Sequence, residues 1–418
     1  MSEVREVFAR SQGNGFRSSE RGLRSYTDHF GHARLARVDA DLGQARGLPG
    51  AAYTDPAIWD LEHRTIFRRQ WFAVGFASDI PTPGDFMPIR TAGWEILAIR
   101  GHDGVVRAFH NVCRHRGTRL VHEKGHRNQI RCGWHCWTYG LDGELRSTPI
   151  VGGVGVHEAD GIDRQALGLV PLATEVWTDV IFVRVAAEGQ PLREQLAPLI
   201  ERMAPYALDK FCLDAPAENE ERVVNINWKL YHEGGLEGYH IPFVHPALEQ
   251  PPGYTMDVGE KCFVSLTGSL GNYRRLGVQI NGTPKFDFND AAQAAADRGE
   301  RLPYTIAFTP PTIVVAPWPE MLIMTLLRPI SVDKTGVRRR MYFIGPSASD
   351  PACQSARQAI LDTWDDITNE DGKYSGAVQE LASLRDEIGL DTRFSPYWEP
   401  AVRAFQQQIL RRTMIEGE

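Results

Sequence analysis

The chain has 418 residues, 42% of them hydrophobic and 24% charged, which is typical of globular proteins. A net charge of −7 and a pI near 6.0 argue against a nucleic-acid-binding protein, which usually carries a basic surface. No apolar run approaches the ~20 residues that span a bilayer, and the N-terminus lacks the apolar core of a secretory signal. We therefore expect a cytoplasmic protein without a nucleic-acid or membrane partner, and the length favours two domains.

The N-terminal region divides into two expected segments. Residues 1–50 are charged and Gly-rich without periodicity, which predicts a mobile arm or an oligomer contact. Residues 51–84 begin with apolar positions at helical spacing. This segment is expected to form helices that pack on the C-terminal domain.

Residues 85–189 contain short alternating runs such as FMPIR, WEILAIR, VVRAFHNV and VIFVRV, separated by Gly and Asp turn signals. They predict a small antiparallel β domain. In residues 190–418, helical patterns alternate with strands such as TIVVAP, MLIMTLLRP and RRRMYFIG, which predicts an α+β domain. Residues 255–304 mix Gly, Asn and Pro, which favours long loops over a pocket.

Two Cys–His pairs lie in the β domain. Cys113-x-His115 is followed after sixteen residues by Cys132-x-x-His135. Two thiolates and two imidazoles are the ligands of a Rieske [2Fe-2S] cluster, and two turns at one end of a β domain can deliver them. Three aromatic residues are expected either to cover the cluster, with a hydroxyl that tunes the sulfurs, or to be ordinary packing: Trp134, Trp137 and Tyr139.

A zinc site is the alternative metal centre for these four residues. A Cys2His2 zinc site pairs its cysteines and then its histidines, with the histidines three to five residues apart. Here the two residue types are interleaved. The pattern therefore favours the Rieske cluster over zinc, and also over a chance placement of four core residues.

A second group of possible metal ligands lies in the α+β domain. Glu237 and His240 are three residues apart, on one helical face, and His245 follows. Two imidazoles and one carboxylate form the facial triad that binds ferrous iron. Asp371 is the best candidate for the carboxylate, because it is the acid on an apolar helical stripe where an unpaired charge would be costly; the stripe consists of Ile360, Trp364, Ile367, Tyr374, Val378 and Leu381.

Other polar residues near these motifs have weaker cases. His232 lies close in sequence to the triad and is interpreted as a helix-surface residue in preference to a ligand. The acids off the apolar stripe are expected to be solvated or to cap the helix: Asp362, Asp365, Asp366 and Glu370.

The two motifs together resemble the α-subunits of Rieske non-haem iron oxygenases. The matching patterns are C-x-H-R-G, C-x-x-H-x-W-x-Y, N-W-K, E-x-x-x-E-x-Y-H-x-x-x-x-H and E-D-x7-Q, and similarity covers nearly everything after residue 50. Gly133, Trp134 and Cys136 depart from the usual Pro, Tyr and Gly. Thr118 and Trp134 replace the disulfide cysteines of respiratory Rieske proteins, so the cluster resembles the oxygenase kind.

The resemblance implies an α+β fold, with an antiparallel β Rieske domain and a helix-grip-like catalytic domain built on an antiparallel sheet. It implies a [2Fe-2S] cluster on the four Cys and His residues, a mononuclear Fe2+ on His240, His245 and Asp371, and Glu237 as the acidic bridge between the two centres. It also implies a homotrimer or a multiple of it. Electrons would come from NAD(P)H through a reductase or ferredoxin. A basic loop would guide this partner to the protein, or else is ordinary solvated surface; it contains Arg114, Arg116, Arg119, Lys124, Arg127 and Arg131.

The expected function is that of a terminal oxygenase, a Rieske-type mono- or dioxygenase that hydroxylates an aromatic or other small organic substrate. The alternative is oxidative N- or O-demethylation, or hydroxylation of a quaternary ammonium compound. The substrate class stays open because Tyr304, Phe308 and Trp318 could enclose either an aromatic ring or a cation. A pure Rieske electron carrier is a further possibility. It leaves residues 190–418 unexplained.

Overall fold

The structure, a computed structural model, describes residues 25–213, 216–245, 255–257, 263–268, 290–299, 302–308, 312–318 and 320–413. It contains two compact units, Phe67–Gly189 and Leu23–Ile66 with Gln190–Glu418. The first unit begins at Phe67 instead of residue 85, because strand β1 (Phe72–Phe76) pairs with β10 (Val180–Arg184). Among the described residues, no helix is both long and apolar enough to cross a membrane.

The described part of residues 1–50 is folded, so the interpretation of that part as a mobile arm is wrong. Helices α1 (Tyr26–Phe30) and α2 (His32–Asp39) belong to the second unit. The Tyr26 hydroxyl donates a 2.6 Å hydrogen bond to the buried Glu62 carboxylate, which ties α1 to the domain. Residues 1–24 lie outside the described residues.

Three short helices follow, α3 (Ala51–Thr54), α4 (Pro56–Arg64) and α5 (Ile66–Arg69). Asp55 starts α4, because its side chain accepts from the Ala57 amide and proline occupies the first helical position. The apolar face of α4 is fully buried. The helices predicted for this segment are therefore present.

The first unit is built on a seven-stranded antiparallel sheet with the order β1-β10-β9-β4-β3-β2-β5. The remaining strands of that sheet are β2 (Asp85–Thr91), β3 (Trp94–Arg100), β4 (Val106–His110), β5 (Gly125–His126) and β9 (Pro171–Trp177). A smaller three-stranded sheet consists of β6 (Ile130–Arg131), β7 (Thr138–Tyr139) and β8 (Leu145–Ser147). The predicted antiparallel β domain is confirmed.

The second unit contains an eight-stranded antiparallel sheet with the order β11-β18-β17-β16-β15-β14-β13, in which β12 also pairs with β18. Its strands are β11 (Ala217–Glu218), β12 (Arg222–Val224), β13 (Thr255–Asp257), β14 (Phe263–Gly268), β15 (Leu302–Phe308), β16 (Ile313–Pro317), β17 (Met321–Ser331) and β18 (Lys334–Phe343). The longest hairpin, β17–β18, is apolar and buried along most of β17. The α+β fold class is confirmed.

The expectation of long loops over residues 255–304 is wrong where the structure describes them. Strands β13 and β14 and the start of β15 lie in this stretch, together with helix α9 (Asp290–Asp297). Ladder hydrogen bonds to neighbouring strands override the Gly- and Asn-rich composition. The rest of the stretch lies outside the described residues.

The described residues of the second unit form five further helices: α6 (Leu192–Met203), α7 (Trp228–Gly235), α8 (Ile241–Val244), α10 (Gln354–Glu387) and α11 (Pro400–Thr413). Within this unit, Lys229 of α7 and Glu62 of α4 form a buried ion pair with Nζ and Oε1 2.5 Å apart. Breaking such a pair on one side costs roughly 3–5 kcal/mol. This contact anchors α7, the helix that leads into the second metal-ligand motif.

Candidate metal centres

Two loops of the first unit have the same backbone design. In each, the amide of the cysteine donates to the carbonyl five residues later, Cys113 to Thr118 at 2.8 Å and Cys132 to Trp137 at 2.9 Å. The fifth residue of each loop has a left-handed backbone, Gly117 with φ 73° and Cys136 with φ 59°. The two loops therefore present their Cys–His pairs in similar turns.

The two cysteines are buried side by side. Cys113 and Cys132 are each 2% exposed and belong to the same buried cluster of the core. Burial raises the pKa of the Cys113 thiol, while the Tyr139 hydroxyl, 3.4 Å from the Cys113 sulfur, opposes that rise. The Arg114 amide donates to the same hydroxyl at 3.0 Å, so the phenolic hydrogen is left to point at sulfur.

The two histidines lie towards the surface. The ring centroids of His115 and His135 are 4.5 Å apart and nearly perpendicular, and His115 stacks on the buried Trp137 at 4.9 Å. Trp134, which is exposed, contacts His135. Partial burial, together with the charges of His135 and Arg116, lowers the pKa of His115, which favours the neutral ligand form.

This donor set fits a Rieske cluster. Two adjacent buried thiols and two adjacent, outward-lying imidazoles match the two irons of such a cluster, one bound by sulfur and one by nitrogen. The four predicted ligands, Cys113, His115, Cys132 and His135, are brought together by the fold.

A second group of donors meets in the other unit. His240, His245 and Asp371 each offer a ligand atom, and these atoms lie within 4.8 Å of one another. His245 Nε2 is 3.0 Å from Asp371 Oδ1 and 3.2 Å from His240 Nε2. Two imidazoles and one carboxylate converging on one point fit ferrous iron.

Each of these two imidazoles has a carboxylate on its other nitrogen. The Glu237 carboxylate contacts His240 Nδ1, and Glu370 Oε2 lies 2.7 Å from His245 Nδ1. Such partners fix the orientation and the tautomer of a metal-binding histidine. Glu370 was expected to be solvated or to cap the helix; that expectation is wrong, because α10 turns its side chain towards His245.

The charges around the triad favour a bound cation. Burial by itself would lower the pKa of His240, but hydrogen bonds to Asp371 and Glu237 raise it to about 9. Burial by itself would raise the pKa of Asp371, but the two histidines hold it below its usual value. The carboxylates thus attract positive charge to the imidazoles, as protons or as a metal ion.

Helix α7, which ends before the ligand motif, and α10, which bears Asp371, are held by hydrogen bonds of the second unit. The expectation that Glu237 and His240 lie on one helical face is wrong, because both residues lie between α7 and α8. The Asn227 side chain caps α7 by accepting from the Lys229 amide. Gln379 of α10 accepts from the Asn227 amide at 2.9 Å and donates to the Tyr53 carbonyl at 3.0 Å. The Asn227 and Gln379 positions of the motif therefore connect α3, α7 and α10, and their role is structural.

A cavity of about 550 Å³ opens beside the triad. Its walls are mainly apolar, and Trp318, Trp364 and Ile323 are among the lining residues. The side chains of Tyr304 and Phe308 lie outside the described residues. Sequence reasoning missed charged residues in the wall, among them Arg339 of β18 and Glu399.

His232 is not part of the triad. It is fully buried against Phe405, with ring centroids 5.4 Å apart, and burial lowers its pKa to about 3. The interpretation of His232 as a helix-surface residue is wrong, because α7 turns this face into the core.

The apolar stripe of α10 is buried over only part of its length. Ile360 and Ile367 are buried, whereas Tyr374, Val378 and Leu381 are exposed in this single chain. Asp371 lies where the buried part of the stripe gives way to the exposed part. Its side chain is 39% exposed.

Comparison with known families matches both units. The family described as ring hydroxylating alpha subunit (catalytic domain) matches residues 200–414, and the family described as Rieske [2Fe-2S] domain matches residues 70–158. The second match contains all four cluster candidates, and the first contains Glu237 and the triad.

Several relatives share sequence with part of the chain. The glycine betaine monooxygenase oxygenase subunit of Chromohalobacter salexigens is 36% identical over 225 residues, which are 53% of this chain and 48% of the relative. The 2,4-dinitrotoluene dioxygenase large oxygenase component of a Burkholderia species is 32% identical over 220 residues, 52% of this chain and 47% of the relative. The chain therefore spans about half the length of the relatives it matches.

Solved structures share the fold. The quaternary ammonium Rieske monooxygenase CntA with bound L-carnitine aligns with a TM-score of 0.68 at 21% identity, over 88% of this chain and 96% of that one. Naphthalene 1,2-dioxygenase from a Rhodococcus species aligns with a TM-score of 0.73 at 17% identity, over 95% of this chain and 100% of that one. Because a family model covers more than half of the chain, the chain belongs to the ring-hydroxylating α-subunit family, with a Rieske [2Fe-2S] domain ahead of the catalytic domain.

Proposed function

We propose that the protein is the terminal oxygenase of a Rieske system, in which the first unit receives electrons and the second oxidises a small organic molecule with O2. The observation that carries this proposal is the presence of two separate donor sets in one chain. Cys113, His115, Cys132 and His135 would hold the cluster, and His240, His245 and Asp371 the ferrous iron. When bound, the cluster supplies one-electron transfer and the iron supplies O2 activation.

The protein's own residues hold and shield the reaction site. His240, His245 and Asp371 line the cavity and would hold the iron there, and two imidazoles and one carboxylate would leave coordination positions open for O2. Glu237 and Glu370 orient the imidazoles by binding their Nδ1 atoms. Apolar walls of the cavity exclude water and provide contact area for an organic substrate.

The primary substrate class is an aromatic or other small organic molecule, and a quaternary ammonium compound is the second candidate. The names of the relatives favour the second, since they include glycine betaine and carnitine monooxygenase oxygenase subunits. Trp318 and Trp364, with ring centroids 6.2 Å apart in an edge-to-face arrangement, offer π surfaces for either a ring or a cation.

The partners are also part of this proposal. We expect a reductase or ferredoxin fed by NAD(P)H, and a homotrimer or a multiple of it. One CntA structure is described as revealing inter-subunit electron transfer. Lys124, Arg127 and Arg131 of the basic loop are exposed and available to an acidic donor, whereas Arg119 is paired with Glu95 at 2.6 Å.

Iron analysis and a product assay test the proposal. Anaerobically reconstituted protein should hold about three irons per chain, two in the cluster and one in the triad. Asp371→Ala should lose one of them and keep the visible spectrum of the cluster. Turnover under 18O2 should label a diol or phenol, or release formaldehyde if the substrate is demethylated. Two irons in the unmutated chain would contradict the oxygenase assignment and favour an electron carrier.

A further inference from the structure

The arginine run of β18 places its three side chains on two faces of the sheet. Arg338 and Arg340 both donate to Glu218 at 2.7 Å. Side chains alternate along a strand, so Arg339 points to the other face, where it is 7% exposed and lines the cavity beside the triad. Arg338 and Arg340 are thus paired with Glu218, and Arg339 is part of the cavity wall.

The Arg339 guanidinium has more N–H donors than its three hydrogen bonds use. It donates to Asp365 at 3.1 Å, to Thr368 at 3.0 Å and to Tyr231 at 3.4 Å. A guanidinium has five N–H donors, and the buried Nε of Arg339 meets no acceptor within the described part of the chain. A buried donor without a partner costs about 1–3 kcal/mol.

A second donor without an acceptor lies next to the first. Trp364 of α10 also lines the cavity, and the Arg339 guanidinium lies 5.7 Å from the centroid of its ring. The buried Trp364 Nε1 likewise has no acceptor among the residues that the structure describes. Two buried donors of neighbouring side chains in the cavity wall are therefore without acceptors.

The charge at this end of the cavity is positive. Asp365 is the carboxylate paired with Arg339, and it is shared with Arg222, whose guanidinium nitrogen lies 3.8 Å away. Two guanidinium groups therefore share one carboxylate, which leaves one positive charge in excess. Glu233, a carboxyl elsewhere in the wall, accepts from the Tyr53 hydroxyl, and burial raises its pKa to about 7, so it offsets little of this charge in slightly acidic solution.

We propose that Arg339 and Trp364 form an anion subsite, and that the substrate is a carboxylate-bearing molecule whose acid group binds there while its remainder extends along the apolar wall of the cavity. This inference rests on the proposed function and narrows its substrate class. It holds for an aromatic acid and for an ammonium acid alike. Bidentate pairing with carboxylates is the interaction for which a guanidinium is best suited.

The test compares acids with their uncharged amides. Benzoate with benzamide, and glycine betaine with its primary amide, are titrated calorimetrically into iron-loaded protein without an electron donor, so that no turnover occurs. Within at least one pair, the acid should bind about tenfold or more tightly than its amide, as expected for hydrogen bonds to a charged group. Arg339→Gln should lower the affinity for the acid to that for the amide. Arg339→Lys should retain part of the preference for the acid.

Two further variants separate recognition from folding. Arg338→Gln removes a neighbouring arginine on the opposite face and should leave the preference unchanged. Trp364→Phe removes one donor and should weaken binding of the acid by several-fold and binding of the amide by less, because a charged acceptor forms the stronger hydrogen bond. Thermal unfolding of every variant shows whether the fold is retained.

Equal binding of acid and amide in both pairs, or binding of neither member at millimolar concentration, would overturn the subsite. A parallel loss of acid and amide in Arg339→Gln would do the same, because it would indicate a purely structural role. These outcomes leave the iron content and the 18O2 assay untouched. Failure of the subsite is therefore distinguishable from failure of the oxygenase assignment.

Discussion

Tyr139 links the three-stranded sheet of the first unit to the first cluster loop. Its hydroxyl accepts from the Arg114 amide and lies 3.4 Å from the Cys113 sulfur. Hydrogen bonds to sulfur stabilise the reduced, more negative form of a cluster and so raise its potential. A single phenolic hydrogen is thus placed to raise the reduction potential of the cluster.

We expect Tyr139→Phe to lower the midpoint potential of the cluster, because the sulfur loses a donor and the buried ring is kept. A redox titration followed by visible absorption measures the shift. Tyr397→Phe, at an exposed tyrosine of the other unit, is the matched control. An unchanged potential in Tyr139→Phe would show that the hydroxyl does not act on the cluster.

His232 is a buried imidazole whose two ring nitrogens lack a hydrogen-bond partner within the described residues. Its pKa falls from an ordinary value near 6.5 to about 3 through burial. Between these values the unfolded chain binds a proton that the folded chain does not. Its contribution to stability is therefore present above about pH 6.5 and is lost as the pH falls towards 3.

We expect His232→Phe to raise the free energy of unfolding by about 1–3 kcal/mol at pH 7, because an unsatisfied polar ring is removed. The gain should be about 2 kcal/mol larger at pH 5, where the unfolded wild type is protonated. Urea unfolding at both values measures this. His102→Phe, at an exposed site, should show neither gain, and a pH-independent gain in His232→Phe would contradict the linkage.

Cys136 lies in a turn whose geometry favours glycine. Its φ of 59° corresponds to that of Gly117 at the same position of the first loop. A non-glycine residue in the left-handed region costs roughly 1 kcal/mol. The cluster loop therefore carries a small conformational strain at this cysteine.

Cys136→Gly should raise the thermal stability of the first unit by an amount that corresponds to about 1 kcal/mol. The control is Cys136→Ala, which also removes the thiol but keeps Cβ and should give no gain. Calorimetry of the cluster-loaded protein distinguishes the two. Equal effects of the two substitutions would show that the thiol, and not the backbone, determines the change.

Helix α10 supplies two adjacent acids with different partners. Asp371 Oδ1 faces His245 Nε2, and Glu370 contacts Nδ1 of the same ring. One helix thus provides both a ligand and the group that orients a second ligand. The preceding acid Asp366 is exposed.

Glu370→Gln should weaken Fe2+ binding about 10- to 100-fold, as loss of a partner behind a histidine ligand typically does. Anaerobic titration of the cluster-loaded protein with Fe2+ gives the affinity. Asp366→Asn on the same helix should leave it unchanged. An affinity equal to that of the wild type in Glu370→Gln would exclude the positioning role.

At the scale of the whole molecule, the second half of α10 presents an apolar face to solvent in the single chain. Four of its side chains are between 43% and 55% exposed, and Ile388, directly after the helix, is 64% exposed; the four are Tyr374, Val378, Leu381 and Leu384. Contiguous apolar surface of this kind marks interaction sites. It agrees with the proposed assembly of several copies.

Leu381→Glu should shift the protein towards monomers, because a carboxylate buried in an apolar contact is costly. Mass photometry at nanomolar concentration measures the distribution of species. Glu380→Lys, a charge change at the neighbouring exposed position, is the control. If Leu381→Glu retains the oligomer of the wild type, this face is not the subunit contact.

Local sequence patterns were enough to predict four strands of the first unit and the long helix α10, and they indicated the candidate metal ligands, whose roles stay predictions. Strand alternation and helical spacing are local properties, and the ligand motifs depend on residues a few positions apart. The folding of residues 25–50 and the strands within residues 255–304 were missed, because their stability comes from distant partners. Tyr26 with Glu62 is one such contact.

The sequence by itself therefore indicated the two Cys–His pairs and the segment Glu237–His245 as candidate ligands, since ligand identity and spacing are properties of short segments, and the helical stripe pointed to Asp371. The tertiary structure decided which other residues join them. Glu370 contacts His245, which lies 125 positions away in the sequence. Arg339 lies in the cavity wall because β18 pairs within a sheet. The other face of that sheet carries Arg338 and Arg340, which pair with Glu218. Such long-range pairings depend on the packing of whole elements, which no local spacing encodes.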